Sequence, residues 1–243
     1  MSLLEAHRVS KSFGGIRALD ACSITVEEGS IAGLIGPNGS GKTTLFNVMT
    51  GYERVDAGEV RFRRTSIANA TPDRIFGLGI GRTFQLTRIF PRLSVIENMH
   101  VAVQRKGSRG LLSRWSSSAE QQRALELLDF VGIARLKDMP AGSLSYGQQK
   151  LLEFAFILIA EPQVILLDEP AGGVNPTMIN HLEERIRLLN RRGITFLVVE
   201  HNMEFVMRLC ERVTVMHQGC TVAEGSPAQV RKDPAVLAAY LGT

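Results

Sequence analysis

The sequence predicts an α/β fold in which helices pack against a largely parallel sheet and a mostly helical insertion forms a second lobe. Three observations carry that expectation. Residues 36–43 read Gly-Pro-Asn-Gly-Ser-Gly-Lys-Thr, the full phosphate-loop pattern G-x-x-x-x-G-K-[ST], with an apolar strand-like run before it and a helix-like run after it. From residue 163 onward, strand-like and helix-like segments alternate. One of those strands, 163–168, is apolar and closes on two carboxylates, Asp168 and Glu169.

In chain order, alternating residues suggest short strands over 3–9, 21–26 and 31–35, the last feeding the phosphate loop and the helix from Thr44 to Met49. A further strand over 59–63 is followed by a short helix and a strand-like 80–84 within 71–84. The middle changes character: a short helix over 94–103, a Gly/Ser/Arg-rich loop over 106–118, an amphipathic helix over 119–131 and a long helix over 147–160. Strand 163–168 precedes helix 176–192, and strand 194–200 precedes helix 203–210. Short strands over 213–217 and 220–223 lead to closing helices that reach Tyr240. Gly77, Gly79 and Gly81 do not complete a dinucleotide fingerprint, since the pattern needs its last glycine where Arg82 or Phe84 stands, and read as a structural turn.

Composition narrows the class. The 243 residues suit one large α/β domain with an inserted lobe, and 44% hydrophobic with 21% charged residues describes an ordinary globular chain. Residues 1–8 lack the apolar run of a signal peptide, and the longest apolar stretch, 151–160, contains Glu153 and falls short of the about 20 residues that span a bilayer. A cytoplasmic location is expected. Cys22, Cys210 and Cys220 have no metal-ligand spacing and read as free thiols. The net charge is +4, with Arg61, Arg63, Arg64, Arg105, Lys106, Arg109 and Arg114 ahead of the midpoint. Nucleic acid or an anionic membrane surface would account for that excess; a solvated face plus a phosphate site accounts for it equally well and is the favoured reading.

In the phosphate loop, the glycines let backbone N–H groups turn inward around an anion, Lys42 brings a charge to the β- and γ-phosphates, and the Thr43 hydroxyl is placed to ligate Mg²⁺. The N-terminus of the following helix favours the same phosphates. The apolar strand ending at Asp168 is expected beside the strand that feeds the loop, with Asp168 at the carboxyl edge, where a carboxylate holds Mg²⁺ through water. Glu169, one residue on, is the candidate general base for an attacking water. Strand 194–200 brings His201 to the same edge, within reach of the γ-phosphate or the water. His7, His100, His181 and His217 have no such context and read as structural.

Residues 144–150, Leu-Ser-Tyr-Gly-Gln-Gln-Lys, open the long helix with Ser145 and Gly147 offering a hydroxyl and free N–H groups, a second anion site. One nucleotide does not need two such sites, but a head-to-tail dimer uses both. This arrangement resembles the ATP-binding-cassette (ABC) ATPases, whose signature reads L-S-G-G-Q; Tyr146 takes the third position here. The resemblance covers nearly the whole chain and rests on several motifs in order. It implies a P-loop NTPase core of RecA-like type with an antiparallel β subdomain, and an inserted helical subdomain over 86–159 carrying the signature. Phe13, in Lys-Ser-Phe-Gly-Gly, is similar to the aromatic that stacks on adenine. Gln85 is similar to the loop glutamine that senses Mg²⁺ and contacts membrane subunits. Residues 171–176, Ala-Gly-Gly-Val-Asn-Pro, resemble the loop that crosses the dimer seam, and His201 the switch histidine.

Within that superfamily, residues 81–85, 89–98, 144–149 and 200–207, with the tail motifs Ala-Glu-Gly-Ser-Pro and Ala-Tyr-Leu-Gly, resemble the ATPase subunits of branched-chain amino acid importers. The urea-importer and lipopolysaccharide-export ATPases share much of this. The resemblance implies a cofactor set of ATP and Mg²⁺. The nucleotide would be held by Phe13, by Gly36, Pro37, Asn38, Gly39, Ser40, Gly41, Lys42, Thr43 and Thr44, and across the seam by Ser145, Gly147 and Gln148. Hydrolysis would fall to Glu169, His201, Gln85 and Lys42, and the metal to Thr43, Gln85 and Asp168. The implied partners are integral membrane permease subunits, a second ATPase subunit, identical or paralogous, and indirectly a solute-binding protein, but no nucleic acid. The chain would then work peripherally at the cytoplasmic face of the membrane.

Three positions depart from the family pattern: Asn175 for the usual Asp, Phe156 for an Arg, and no Asp-Gly turn within 61–69. Two rivals come from other classes. A soluble ABC-type ATPase acting on nucleic acid or ribosomes would need paired cassettes or a long coiled-coil insertion, and a small-molecule kinase has no use for the 144–149 motif.

Overall fold

The computed structural model describes residues 1–104 and 118–241. All of the expected 106–118 loop except Ser118 lies outside the described residues, as do Arg105, Lys106, Arg109 and Arg114. Two sheets organise the rest. Strands β1 (Ser2–Phe13), β2 (Ile16–Glu27), β4 (Ala57–Phe62) and β5 (Thr65–Ser66) form an antiparallel sheet in the order β2-β1-β4-β5. The second sheet has the order β10-β9-β3-β8-β7-β6, built from β3 (Ile31–Ile35), β6 (Ile80–Arg82), β7 (Val164–Asp168), β8 (Thr195–Val199), β9 (Arg212–His217) and β10 (Cys220–Gly225). All its pairings are parallel except β9 with β10.

Every residue of β3, β7 and β8 is buried, because this sheet is covered on both faces. The strand period of two divides them. Ile31, Ile35, Ile165, Leu167, Phe196 and Val198 enter one core with the helices α3 (Val95–Gln104), α4 (Ser118–Phe130), α5 (Tyr146–Leu158), α6 (Pro176–Arg191) and α7 (Met203–Leu209). Ala32, Leu34, Val164, Leu166, Leu197 and Val199 enter the other, with α1 (Lys42–Met49) and the antiparallel sheet. Helices α2 (Pro72–Gly77), α8 (Pro227–Val230) and α9 (Pro234–Leu241), with short 3-10 turns at Ala134–Leu136 and Ala141–Ser143, complete the described elements. No described helix is long and apolar enough to cross a membrane.

Three expectations change, and one departure from the family pattern finds its reason. β1 and β2 run well past 3–9 and 21–26, since the hairpin across Gly14 and Gly15 keeps pairing out to Phe13 and Ile16. Register shifts in that hairpin, with Arg8 and Ala21 at positive φ, break the alternation that a strand reading relies on. β6 stops at Arg82 rather than Phe84; the Phe84 and Arg88 amides bond to the Glu153 carboxylate on α5 instead of to a strand. β7 does not lie beside β3. β8 stands between them, with Val199 paired to Leu34 on one side and Asp168 on the other. The carboxyl ends nevertheless share one edge. Finally, the turn after β4 needs no Asp-Gly: Arg63 itself takes φ 55° and links β4 to β5.

Candidate nucleotide site

The phosphate loop is shaped by glycines that no other residue can replace. A Cβ on Gly36 (φ 153°) would lie 2.2 Å from the Met216 carbonyl oxygen, and one on Gly41 (φ 100°) 2.6 Å from that of Ala18. Gly41 caps α1, so the loop delivers its amides straight into a helix N-terminus. Lys42 is buried, and its Nζ donates to the Gly36 and Pro37 carbonyls at 2.8 and 2.9 Å. Burial lowers its pKa, while the charges of Glu169 and Asp168 pull the other way. Thr43 is exposed and Thr44 half-buried at the head of the helix. Ser40 Oγ is buried without a hydrogen-bond partner, an orphaned hydroxyl inside the loop and a donor available to a phosphate oxygen. Phe13, at the hairpin end of β1, is 44% exposed with Lys11 Nζ 5.0 Å from its ring centroid. The Ala18 carbonyl of the same hairpin packs on Gly41, so the hairpin abuts the loop.

At the sheet edge, three of the predicted groups meet. Gln85 Nε2 donates to Glu169 Oε2 at 2.9 Å, and His201 Nδ1 lies 3.7 Å from Glu169 Oε1, so each carboxylate oxygen has its own neighbour. Glu169 holds φ 48°, an uncommon conformation for a residue with a Cβ, fixed by its N–H donating to the Val199 carbonyl and its own carbonyl accepting from Lys150 Nζ at 2.5 Å. Asp168 lies deeper. Its Oδ2 accepts from Arg82 at 3.0 Å and its N–H donates to Thr83 Oγ1. Arg82 also donates to Asn47 Oδ1 and Thr50 Oγ1 of the segment that follows the loop, so one guanidinium joins the phosphate-loop helix to the carboxylate strand. Behind His201, the fully buried Glu200 accepts from the Ala171, His201 and Asn202 amides. That carboxylate pins the 171–176 loop and the histidine turn together.

The candidate second anion site lies at the start of α5. Ser145 caps α5 in a reciprocal box: its Oγ accepts from the Gln148 amide, and Gln148 Oε1 accepts from the Ser145 amide. Gly147 packs on Met178. Among the described residues, no hydrogen bond or ion pair joins Ser145, Gly147 or Gln148 to the phosphate loop of the same chain. Asn175, where an Asp was expected, caps α6 by accepting from the Met178 amide. Phe156, where an Arg was expected, lines a groove of about 870 Å³ with Tyr52, Phe76, Arg88, Phe90 and Glu153.

Arg82, Lys150, Glu153 and Glu200 carry contacts that the sequence reading did not assign. Glu153 had left a signal, a lone acid inside an apolar helix. Burial pushes its carboxyl up from 4.5 to about 7, against the amides of Arg88 and Phe84 and the charges of Lys150 and Arg88. Between these two values the folded chain keeps the proton and the unfolded chain releases it, so this contribution is fully present below pH 4.5 and is lost as pH rises through 7. The expected loss is on the order of 3 kcal/mol. Glu153→Gln should flatten that part of the stability profile; denaturant midpoints between pH 4.5 and pH 8 that move in parallel for both proteins would contradict the assignment.

The ABC transporter family profile matches residues 19–172, and that of the branched-chain amino acid ATP-binding cassette transporters matches residues 220–243. The chain is similar to the probable branched-chain amino acid transport ATP-binding protein LivG of Archaeoglobus fulgidus, 38% identical over all of this chain and 96% of that protein. It is 36% identical to the high-affinity LivG protein of Escherichia coli K12, over 99% of this chain and 98% of the relative. Two crystal structures superpose along their full lengths with TM-scores of 0.89. One is a nucleotide-free ATP-binding cassette from an ABC transporter at 34% identity, and the other the ADP conformation of the cassette MJ1267 at 35%. The dimeric structure of the cassette MJ0796 matches with a TM-score of 0.83 and 27% identity over 93% of this chain. A phosphate loop at a helix N-terminus, a carboxylate pair at the sheet edge and full-length similarity lead to one assignment: the chain belongs to the ABC transporter family, as one of its ATP-binding and ATP-hydrolysing cassettes.

Proposed function

We propose that this chain powers the import of branched-chain amino acids through separate membrane subunits, from the cytoplasmic face. The observation that carries the catalytic half is the convergence of Gln85 and His201 on the two oxygens of Glu169. The names borne by the full-length relatives support the substrate class. Phe13 stacks on the adenine, and residues 36–44 hold the phosphates. Glu169 takes the proton of the attacking water, while His201 and Gln85 hold the water and the γ-phosphate in line. Thr43, Asp168 and Gln85 offer hard oxygen donors that suit magnesium, which, when bound, neutralises charge on the phosphates.

Among the described residues, Ser145, Gly147 and Gln148 make no hydrogen bond or ion pair to their own chain's loop, and this supports a head-to-tail pairing in which they close over a partner's γ-phosphate. The partner is a second copy or a paralogous ATPase. Residues 86–159 act as the inserted helical subdomain. Residues 85–98 are the docking surface for the permease, Phe90 among them lining the groove with Phe156, and the solute-binding protein acts through that permease. No nucleic acid is required.

The test is a mild-detergent pull-down of the tagged chain from its native membranes with mass spectrometry. Polytopic membrane proteins, alone or with a paralogous ATPase, are expected. Recovery of ribosomes or nucleic-acid proteins, or of nothing, would overturn the transport reading.

A further inference from the structure

One stripe of α5 grips the loop that carries Gln85. Tyr146, Gln149, Lys150 and Glu153 fall at i, i+3, i+4 and i+7 and share a face. Glu153 accepts from the amides on both flanks of Gln85, those of Phe84 and Arg88. Gln149 Oε1 accepts from the Thr87 hydroxyl at 3.3 Å. Lys150 Nζ reaches the Glu169 carbonyl. Of these four, Tyr146 bonds Gln85 itself, its hydroxyl donating to the Gln85 carbonyl at 2.7 Å. Its ring also packs against Gly173, where a Cβ would come within 3.1 Å, and lies 5.3 Å from Lys150 Nζ. Tyr146 occupies the third position of the signature, where the L-S-G-G-Q pattern has a glycine that offers no hydroxyl. The bond therefore belongs to this version of the motif.

We propose that Tyr146 is a positioning residue: its hydroxyl fixes the Gln85 backbone so that the Gln85 amide stays on the Glu169 carboxylate. It thereby ties the signature helix directly to the hydrolytic centre. The segment expected to meet a partner's nucleotide and the carboxylate expected to act on the chain's own are then joined by one side chain. This rests on the reading of Gln85 and Glu169 as hydrolytic groups.

A double-mutant cycle on the purified full chain tests it, with ATP turnover read as kcat and KM separately. Tyr146→Phe keeps the ring and removes the hydroxyl. It is expected to lower kcat about fivefold, the scale of one lost hydrogen bond, with KM unchanged. In a Gln85→Ala background, where there is no side chain left to aim, Tyr146→Phe should bring no further fall. An equal fall in both backgrounds, or none in the native one, overturns the Tyr146 role while leaving Gln85 catalytic. A Gln85→Ala chain with native kcat sinks the underlying reading instead, and the Tyr146 proposal with it.

Discussion

Glu169→Gln should still bind ATP and should lose turnover by about 10²–10⁴-fold, the usual scale of general-base catalysis. The substitution is close to isosteric. A glutamine at 169 keeps an oxygen to accept from Gln85 Nε2 and makes no new demand on the φ of 48° that glutamate already holds. It cannot take a proton from water, and it removes the charge facing His201 Nδ1 at 3.7 Å. ATP affinity by titration calorimetry alongside single-turnover hydrolysis separates the two effects. Intact affinity with turnover near the native rate would remove Glu169 from the chemistry. Weakened affinity with proportionate turnover would make it a binding group.

Arg82→Met is expected to have the largest effect on stability, about 3–5 kcal/mol, because it leaves a buried charge without its partner. The Arg82 and Asp168 side chains are only 6% and 5% exposed. The loss also strips Asn47 Oδ1 and Thr50 Oγ1 of their donor, and the guanidinium stacks within 4.9 Å of the Phe84 ring centroid. Lysine cannot substitute, since a compact ammonium does not span three acceptors set for a planar fork. Adding Asp168→Asn to Arg82→Met should recover part of the loss by removing the stranded charge. Urea melts with a single-variant cost below about 1 kcal/mol, or with no recovery in the double variant, would show that the pair contributes little.

Much of the site was legible because its chemistry is local. The phosphate loop needs consecutive residues to turn a backbone around an anion, so Gly36 to Thr43 announce themselves, and β3, buried on both faces, reads as an unbroken apolar run. The carboxylates of Asp168 and Glu169 and the turn at His201 were visible for the same reason: each follows an apolar strand and falls at its carboxyl end. What stayed hidden depends on which distant segments meet. Nothing in residues 82–88 announces that Gln85 will bond a side chain 84 positions on, or that Arg82 will clamp one 86 positions on. The order of strands is equally silent, which is why β8 intervenes between β3 and β7 unannounced. Glu153 and Glu200 read as an interruption and a strand end; only burial against backbone amides turns them into anchors. The box at Ser145 and Gln148 is an exception, since a serine followed three residues later by glutamine is itself a helix-start signal.

The measurement that tests the central claim most directly is uptake of labelled leucine into proteoliposomes holding the membrane complex recovered with this chain, with ATP supplied on the cassette side. ATP-dependent accumulation is predicted for the native complex, and its loss when the chain carries Glu169→Gln. A complex that hydrolyses ATP without taking up a branched-chain amino acid, or uptake indifferent to Glu169→Gln, would contradict the account.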